Sequence, residues 1–203
     1  MSSTSIIGYH TCQDRGGYDH ICRNIPFLSK PNNNQWLTQG YYFWTDSPYW
    51  AERWLQDQPR VIGKFTVTLD EEHKWLDLVG NTADQEEFSV LKDVVIEEVG
   101  VCDSLSITVN QIITFFREHS ADERFSGFFD YIAIKAQDER CVSRIDFIEP
   151  SLRNGRPQRA RLRLITRQQL CVFEEGKDCI KFDHFYYPEE YQQRQLMTNG
   201  SSV

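Results

Sequence analysis

The run Gln39-Gly40-Tyr41-Tyr42-Phe43-Trp44-Thr45-Asp46-Ser47-Pro48, with Ala51 and Trp54 beyond it, constrains this chain more than any other segment. It reads as a turn, a short aromatic strand, a polar break and then a helix. Aromatics at the end of a strand need a core or a ligand to cover them, and the handover from strand to helix is a common place for a ligand cleft. Asp46 or Ser47 supplies a helix cap, and Pro48 suits a first helical position. The helical spacing of Trp50, Ala51, Trp54 and Leu55 predicts a helix from about 48 to 58, stopped by Pro59. Upstream, Gly8-Tyr9-His10-Thr11 forms a second aromatic-polar strand end. The two together predict one pocket, with a histidine on one wall and tyrosines on the other.

The rest of the chain alternates strands and helices. A short first strand covers Ile6 to His10, Gly16-Gly17 signals a turn, and Ile21 to Leu28 holds a helical turn. Lys30 to Asn34 is a loop by composition, and Trp36 to Trp44 is the aromatic strand. Arg60 to Leu69 alternates strictly and predicts a half-buried strand. Trp75 to Leu78 is a shorter one. Apolar spacing predicts helices over 82–99, closed by Gly100, and over 108–119. Phe128 to Ile134, Cys141 to Ile148, Arg161 to Ile165 and Leu170 to Phe173 read as strands, with a basic loop over 151–158. Glu174 to Lys177 is a turn from which Cys179 to Phe182 pairs back, and the polar tail from Tyr186 frays after Met197. The plan is α+β with a mixed or antiparallel sheet. With 203 residues it predicts one domain, with a core over about 6–182 and a tail from about 186.

Charge bears on the partners. Lys and Arg total 22 against 30 Asp and Glu, a net charge of -8, which argues against a general nucleic-acid binder. The distribution is uneven, however. Arg153, Arg156, Arg159, Arg161, Arg163 and Arg167 fall within fifteen residues. On a strand, Arg161 and Arg163 share a face opposite Leu162 and Leu164. Such a run is either a solvated face paired with the protein's own carboxylates or a phosphate-binding surface. The six cysteines contain no C-x-x-C pair, and the N-terminal residues lack a basic, apolar signal segment. Reduced thiols in a cytoplasmic protein are expected. The spacing of Cys12, His20 and Cys22 matches no standard zinc pattern, so no metal is expected. No run approaches the roughly 18 apolar residues of a membrane span.

In order, these pieces resemble the ADP-ribosyltransferase superfamily, in its poly(ADP-ribose)-polymerase-like or diphtheria-toxin-like branch. Tyr9-His10-Thr11 ends the first strand where the family carries its site histidine. Gly40-Tyr41-Tyr42-Phe43 matches its Gly-x-Tyr-Phe, and Ser47 to Trp54 its polar break and helix, with Ala51 at the small-residue position. Gln168-Gln169-Leu170-Cys171-Val172-Phe173 resembles the strand that opens on the catalytic glutamate. The likeness covers roughly residues 6 to 182. It departs at Thr11-Cys12, where the family has Gly-Ser or Gly-Thr, and at Gln169, which falls on the glutamate position.

The resemblance implies split mixed or antiparallel sheets flanked by helices, and a mono-ADP-ribosyltransferase of the glycosyltransferase class with NAD as substrate. Bacterial members are often toxins or defence effectors, so a toxin-antitoxin or antiviral role and an antitoxin partner are further expectations. Transfer breaks a bond between ribose and a cationic leaving group, through an oxocarbenium-like transition state. His10 would then donate to the adenosine ribose, as a neutral imidazole can. Tyr42 would stack on the nicotinamide, with Thr11, Tyr41, Trp50 and Trp54 also lining the cofactor site. Gln169 would bond the second ribose without supplying charge. Arg159, Arg161, Arg163 and Arg167 would hold an RNA or DNA acceptor, with a protein acceptor next. The competing expectation is a catalytically silent relative that binds NAD, ADP-ribose or a partner. An NAD-using RNA 2′-phosphotransferase ranks below both, since only Arg161, Arg163 and Arg167 would face its phosphate.

Overall fold

The structure, a computed structural model, describes residues 3–32, 34–70, 74–100, 107–149, 151–153, 156–158 and 160–200. The elements run β1 (Thr4–Gln13), α1 (Gly17–Asn24), β2 (Tyr41–Thr45), α2 (Tyr49–Arg53), β3 (Arg60–Leu69) and β4 (Trp75–Asp77). Then come α3 (Thr82–Val99), α4 (Val109–Glu118), β5 (Ala133–Asp146), β6 (Ser151–Arg153), β7 (Arg156–Gln158) and β8 (Arg161–Val172). A 3-10 turn (Glu174–Cys179), β9 (Ile180–Tyr187) and α5 (Glu189–Gly200) close the chain. The fold is α+β. Seven strands form one mixed sheet in the order β4-β5-β8-β2-β1-β3-β9, and β6 and β7 pair separately. Within the large sheet only β4 and β5 run parallel.

The alternation of β1, β2 and β3 explains how the sheet is covered. On one face Ile6, Phe43, Phe65, Val67, Leu170 and Val172 form the main core. Phe43 and Phe65 are wholly buried and meet edge to face at 5.2 Å; each such side chain is worth about 1.5–3 kcal/mol of burial. On the other face Tyr9, Trp44 and Ile62 pack under Ala51 of α2, while Cys171 and Ile134 pack under Ile113 of α4. Gly40 has no room for a side chain: a Cβ there would meet the Cys171 sulfur and lie 2.8 Å from the Val172 carbonyl oxygen. The glycine that opens the aromatic block therefore lets β2 enter beside β8.

Several segments differ from the sequence expectation. The strand expected over Trp36 to Trp44 starts only at Tyr41, because the chain bends through Thr38 at φ 66. The helix expected to reach Gln58 stops at Arg53; Trp54 is extended and Leu55 has φ 56. Pro48 is the cap residue rather than the first helical one. Phe128 to Ile132 is not strand. The expected strands at 141–148 and 161–165 belong instead to two long strands, β5 and β8, that pair from Ala133↔Val172 to Asp146↔Arg161. The basic loop contains β6 and β7, with Asn154-Gly155 between them in sequence. The residues after the 3-10 turn pair with β3, not with β8. The polar tail is α5, anchored by Tyr191, which is 2 % exposed and donates its hydroxyl to Asp14 at 2.7 Å. By contrast β3 and α3 with Gly100 at φ 69 match the sequence reading, as does α4, which Thr108 caps rather than begins.

Candidate functional site

Strands β1 and β2 pair only at Gly8↔Thr45 and Tyr9↔Trp44. Beyond that they diverge, and the gap opens a cavity of about 550 Å³. Its walls come from five places. β1 supplies His10, Thr11 and Cys12; β2 supplies Tyr42 and Trp44; β8 supplies Arg167 and Gln169. The rest comes from the α1–β2 connection, through Phe27 to Ser29 and Asn34 to Trp36, and from Trp54 just after α2. His10, Tyr42 and Gln169 thus converge from three neighbouring strands, although they lie 32 and 127 residues apart in sequence.

His10 is 7 % exposed and has both ring nitrogens in use. Nδ1 lies 2.9 Å from the Tyr42 carbonyl, and the Phe27 N–H donates to Nε2 at 3.2 Å. The tautomer that satisfies both carries its proton on Nδ1. Burial lowers the ring pKa to about 4, against a smaller opposing pull from the Tyr42 carbonyl, so the imidazole is neutral at pH 7. The ring packs among Phe27, Phe43 and Phe65. It bridges the two diverging strands and the Phe27 segment, and has no N–H left to donate to a ribose in this arrangement.

Tyr42 is tied down in a similar way. Its hydroxyl donates to the Thr38 carbonyl at 2.6 Å and accepts from the Leu37 N–H at 3.0 Å. Burial, with the neighbouring Cys171, pushes the phenol pKa up. The tyrosine therefore presents a ring wall while its hydroxyl holds the loop at 37–38. Thr38 sits there with a left-handed backbone and a buried hydroxyl that lacks a partner among the described residues. A β-branched residue in that region costs on the order of 1–3 kcal/mol, a strain that the two Tyr42 hydrogen bonds help to hold.

The chemistry of the lining is narrow. Arg167 is the charged side chain among the described lining residues, and no carboxylate faces the cavity. Its guanidinium lies over Trp36, 4.8 Å from the ring centroid, and donates to Asp138 through Nε at 2.9 Å and through Nη2. Burial, then the nearby Asp14, pushes the Cys12 thiol up to about 12, so it is no nucleophile at neutral pH. The Thr11 hydroxyl donates to the Ala51 carbonyl at 3.1 Å. The Gln169 amide makes no hydrogen bond to another described residue, while its neighbour Gln168 donates to the Thr166 hydroxyl. The described lining holds five aromatic rings beside the His10 imidazole, one compensated cation and three side-chain amides, those of Asn34, Gln35 and Gln169, with no hydrogen bond to another described residue. Among the described residues it has neither a carboxylate base nor an activated nucleophile. Such a site suits a ligand with flat rings and phosphate, and a reaction whose leaving group departs without acid assistance.

The expected site residues divide accordingly. His10, Thr11, Tyr42, Trp54, Arg167 and Gln169 line the cavity. Tyr41 does not; it points to the opposite face and lies in the main core at 5 % exposure. Trp50 does not either. Its indole N–H donates to the Thr166 carbonyl at 3.0 Å, so it braces β8 from α2. Arg161 pairs with Asp146 at 2.8 Å and Arg163 faces Arg144 across β5, both away from the cavity. Arg159 lies outside the described residues. Sequence reasoning missed Phe27, Trp36 and Trp44 as walls and Asp138 as the partner of Arg167. Alternation would have put Trp44 beside Tyr42, but Phe27 and Trp36 are brought in by a loop whose path no periodicity encodes, and Asp138 by the pairing of β5 with β8 at a register shift. Among the described residues no group of three or more His, Cys, Asp or Glu is arranged to hold a metal, and no helix is long and apolar enough to cross a membrane. Compared with known proteins, the chain matches no family model, no curated protein and no solved structure.

Proposed function

We infer that the cleft takes NAD and that the protein is a mono-ADP-ribosyltransferase with a weakened third catalytic position. One observation carries this reading: His10, Tyr42 and Gln169 line a single cavity at the point where β1 and β2 part. The chemistry of that lining agrees with it. The bond from ribose to nicotinamide breaks with a leaving group that is already cationic, so it needs positioning and shielding more than an acid or a nucleophile. The Tyr42, Trp44 and Trp54 rings offer walls for the nicotinamide, and Arg167 a cation for the pyrophosphate. His10 acts by positioning, since it pins β2 to the Phe27 segment. Gln169 offers its free amide to a ribose hydroxyl without neutralising the developing cation.

The acceptor follows from charge. Arg167 at the cleft is paired with Asp138 and Arg161 with Asp146, while Arg144 and Arg163, unpaired among the described residues, stand out on the β5–β8 strands and line no part of the cleft. That favours a protein acceptor over RNA or DNA, and mass spectrometry of both classes after incubation with NAD distinguishes them. A second reading rests on the saturated His10 ring and the uncharged Gln169: a silent member of the same fold that binds NAD or ADP-ribose without turnover.

Labelled-NAD consumption by the purified protein separates the two. Slow release of nicotinamide is expected, lost in Tyr42→Ala and strongly reduced in His10→Ala. Gln169→Glu should raise turnover by about 10²- to 10³-fold, the usual worth of one preorganised electrostatic group. Saturable NAD binding with no turnover in either the native protein or Gln169→Glu would leave only the binding reading.

A further inference from the structure

Beyond Gln137 and Gln168 the β5–β8 pair leaves the body of the sheet. β4 accompanies β5 only through Lys135, and β2 accompanies β8 only from Gln169. The ribbon that remains, 141–146 against 161–165, is exposed at every residue but the half-buried Cys141, and no other described strand pairs with it. In an antiparallel pair every second residue directs its N–H and C=O outward. Along the outer edge of β5 from Cys141 to Asp146, those groups make no hydrogen bond to another described part of the chain. A groove of about 360 Å³ is lined by this stretch of β5, from Cys141 to Asp146, with Arg161 of β8. Long, exposed apolar edges are usually blunted or covered, because they template pairing with another strand.

The two faces have different chemistry. One carries Ile145, Leu162 and Leu164, at 53 %, 40 % and 38 % exposure. The other carries Arg144, Arg161 and Arg163, with Val142 at its root. Asp146 compensates Arg161. Arg144 and Arg163 stand directly opposite one another, and neither has an acidic partner among the described residues. Like charges directly opposed across two strands destabilise a ribbon unless an anion lies between them.

We propose that the open edge of β5 at Cys141–Asp146 docks an extended segment of a partner protein whose residues alternate acidic and apolar. A strand added there sets its acidic side chains beside Arg144, with Arg163 one strand further on the same face, and its apolar ones beside Ile145, while its backbone pairs with the free groups of β5. The opposition of the faces decides among occupants. A nucleic acid would use the cations and leave the apolar face wet. A lipid surface would bury one face and leave the outward N–H and C=O groups of β5 unpaired in an apolar medium. An added strand pairs those groups and reaches both faces at once. The inference concerns the ribbon and holds whatever the cleft binds.

The probe is a labelled decapeptide of alternating Glu and Val, titrated by fluorescence anisotropy, with amide exchange followed over 141–146. Binding should slow exchange at those amides and vanish when the peptide is N-methylated at alternate residues. Arg144→Glu with Arg163→Glu should weaken it about ten-fold or more, the scale of losing a close charge pair. Ile145→Ser, on the opposite face, should weaken it independently. The native protein's exchange pattern needs no variant and remains informative if either variant folds poorly. Four outcomes overturn the proposal: absence of peptide binding, binding that survives N-methylation, preference for a single-stranded oligonucleotide or phosphatidylserine vesicles with the same arginine dependence, or a concentration-dependent dimer abolished by the same substitutions.

Discussion

His10 is the residue on which most of the site turns, and its environment makes a pH prediction. An unfolded histidine takes up a proton near pH 6.5, whereas in the fold His10 does so only near pH 4. Between those values the unfolded state binds more protons, so stability rises with pH and is lost as pH falls. The full shift corresponds to about 3 kcal/mol, an upper figure for one buried ring. Urea melts of the native protein and of His10→Gln at pH 7 and at pH 4.5 should show the native protein losing more stability than the variant. Equal losses would mean that the ring is not desolvated. Tyr42 and Gln169 illustrate two further uses of a polar group. The tyrosine hydroxyl is consumed in holding the Thr38 backbone, whereas the glutamine amide has no partner among the described residues and is available to a ligand.

Among the elements, α4 shows local sequence and tertiary need agreeing. Thr108 and Gln111 form a reciprocal cap: the Gln111 N–H donates to the threonine hydroxyl at 3.2 Å, and the Thr108 N–H donates to the glutamine side chain at 2.8 Å. The capped helix drives Ile112, Ile113 and Phe116 into the interior. Thr108→Ala should therefore cost about 1 kcal/mol of stability, read as a lowered urea midpoint at unchanged slope. α2 shows the opposite case. The spacing through Leu55 promised three turns, yet the helix unwinds after Arg53. Trp54 lies against Trp44 at 5.7 Å and lines the cavity instead of extending the helix. The loop that follows is held from Arg60, whose guanidinium donates to the carbonyls of Glu52 and Gln56 at 3.0 Å. Aromatic packing and carbonyl capture there replace several helical hydrogen bonds.

Taken whole, the molecule has a covered body and a bare arm built from the same two strands. β5 and β8 are buried at Ala133, Ile134, Leu170 and Val172 and exposed from Arg161 through Ile165. Amide exchange should follow that gradient, with the slowest amides of these strands at 133–134 and 170–172 and the fastest at 141–146 and 161–165. Uniform protection along β5 would mean that the arm is already covered, for example by a second copy. Much of the body was legible in advance. Strict alternation marks β3, a 3.6-residue spacing with Gly100 bounds α3, and the Gly40 block announces a tight strand entry. Of the candidate site, the convergence was legible in part: the sequence singled out His10, Tyr42 and Gln169, and all three line one cavity, from within β1, β2 and β8. What had no signal was the closure of the cavity by Phe27 and Trp36, the pairing of β9 with β3, and the continuity of β5 and β8.

The division has one physical cause. Period, capping and turn chemistry act over a few residues, so the chain alone determined which stretches are helix or strand, where Gly40 and Gly100 must stand, and which face of β3 is apolar. Strand order, the parting of β1 from β2 and the saturation of both His10 nitrogens depend on groups brought together across the fold. The same holds for Arg167, whose charge is answered by Asp138 rather than by anything near it in the helix-strand pattern. Burial and hydrogen-bond competition among distant groups settle such matters, and only the assembled tertiary structure contains them.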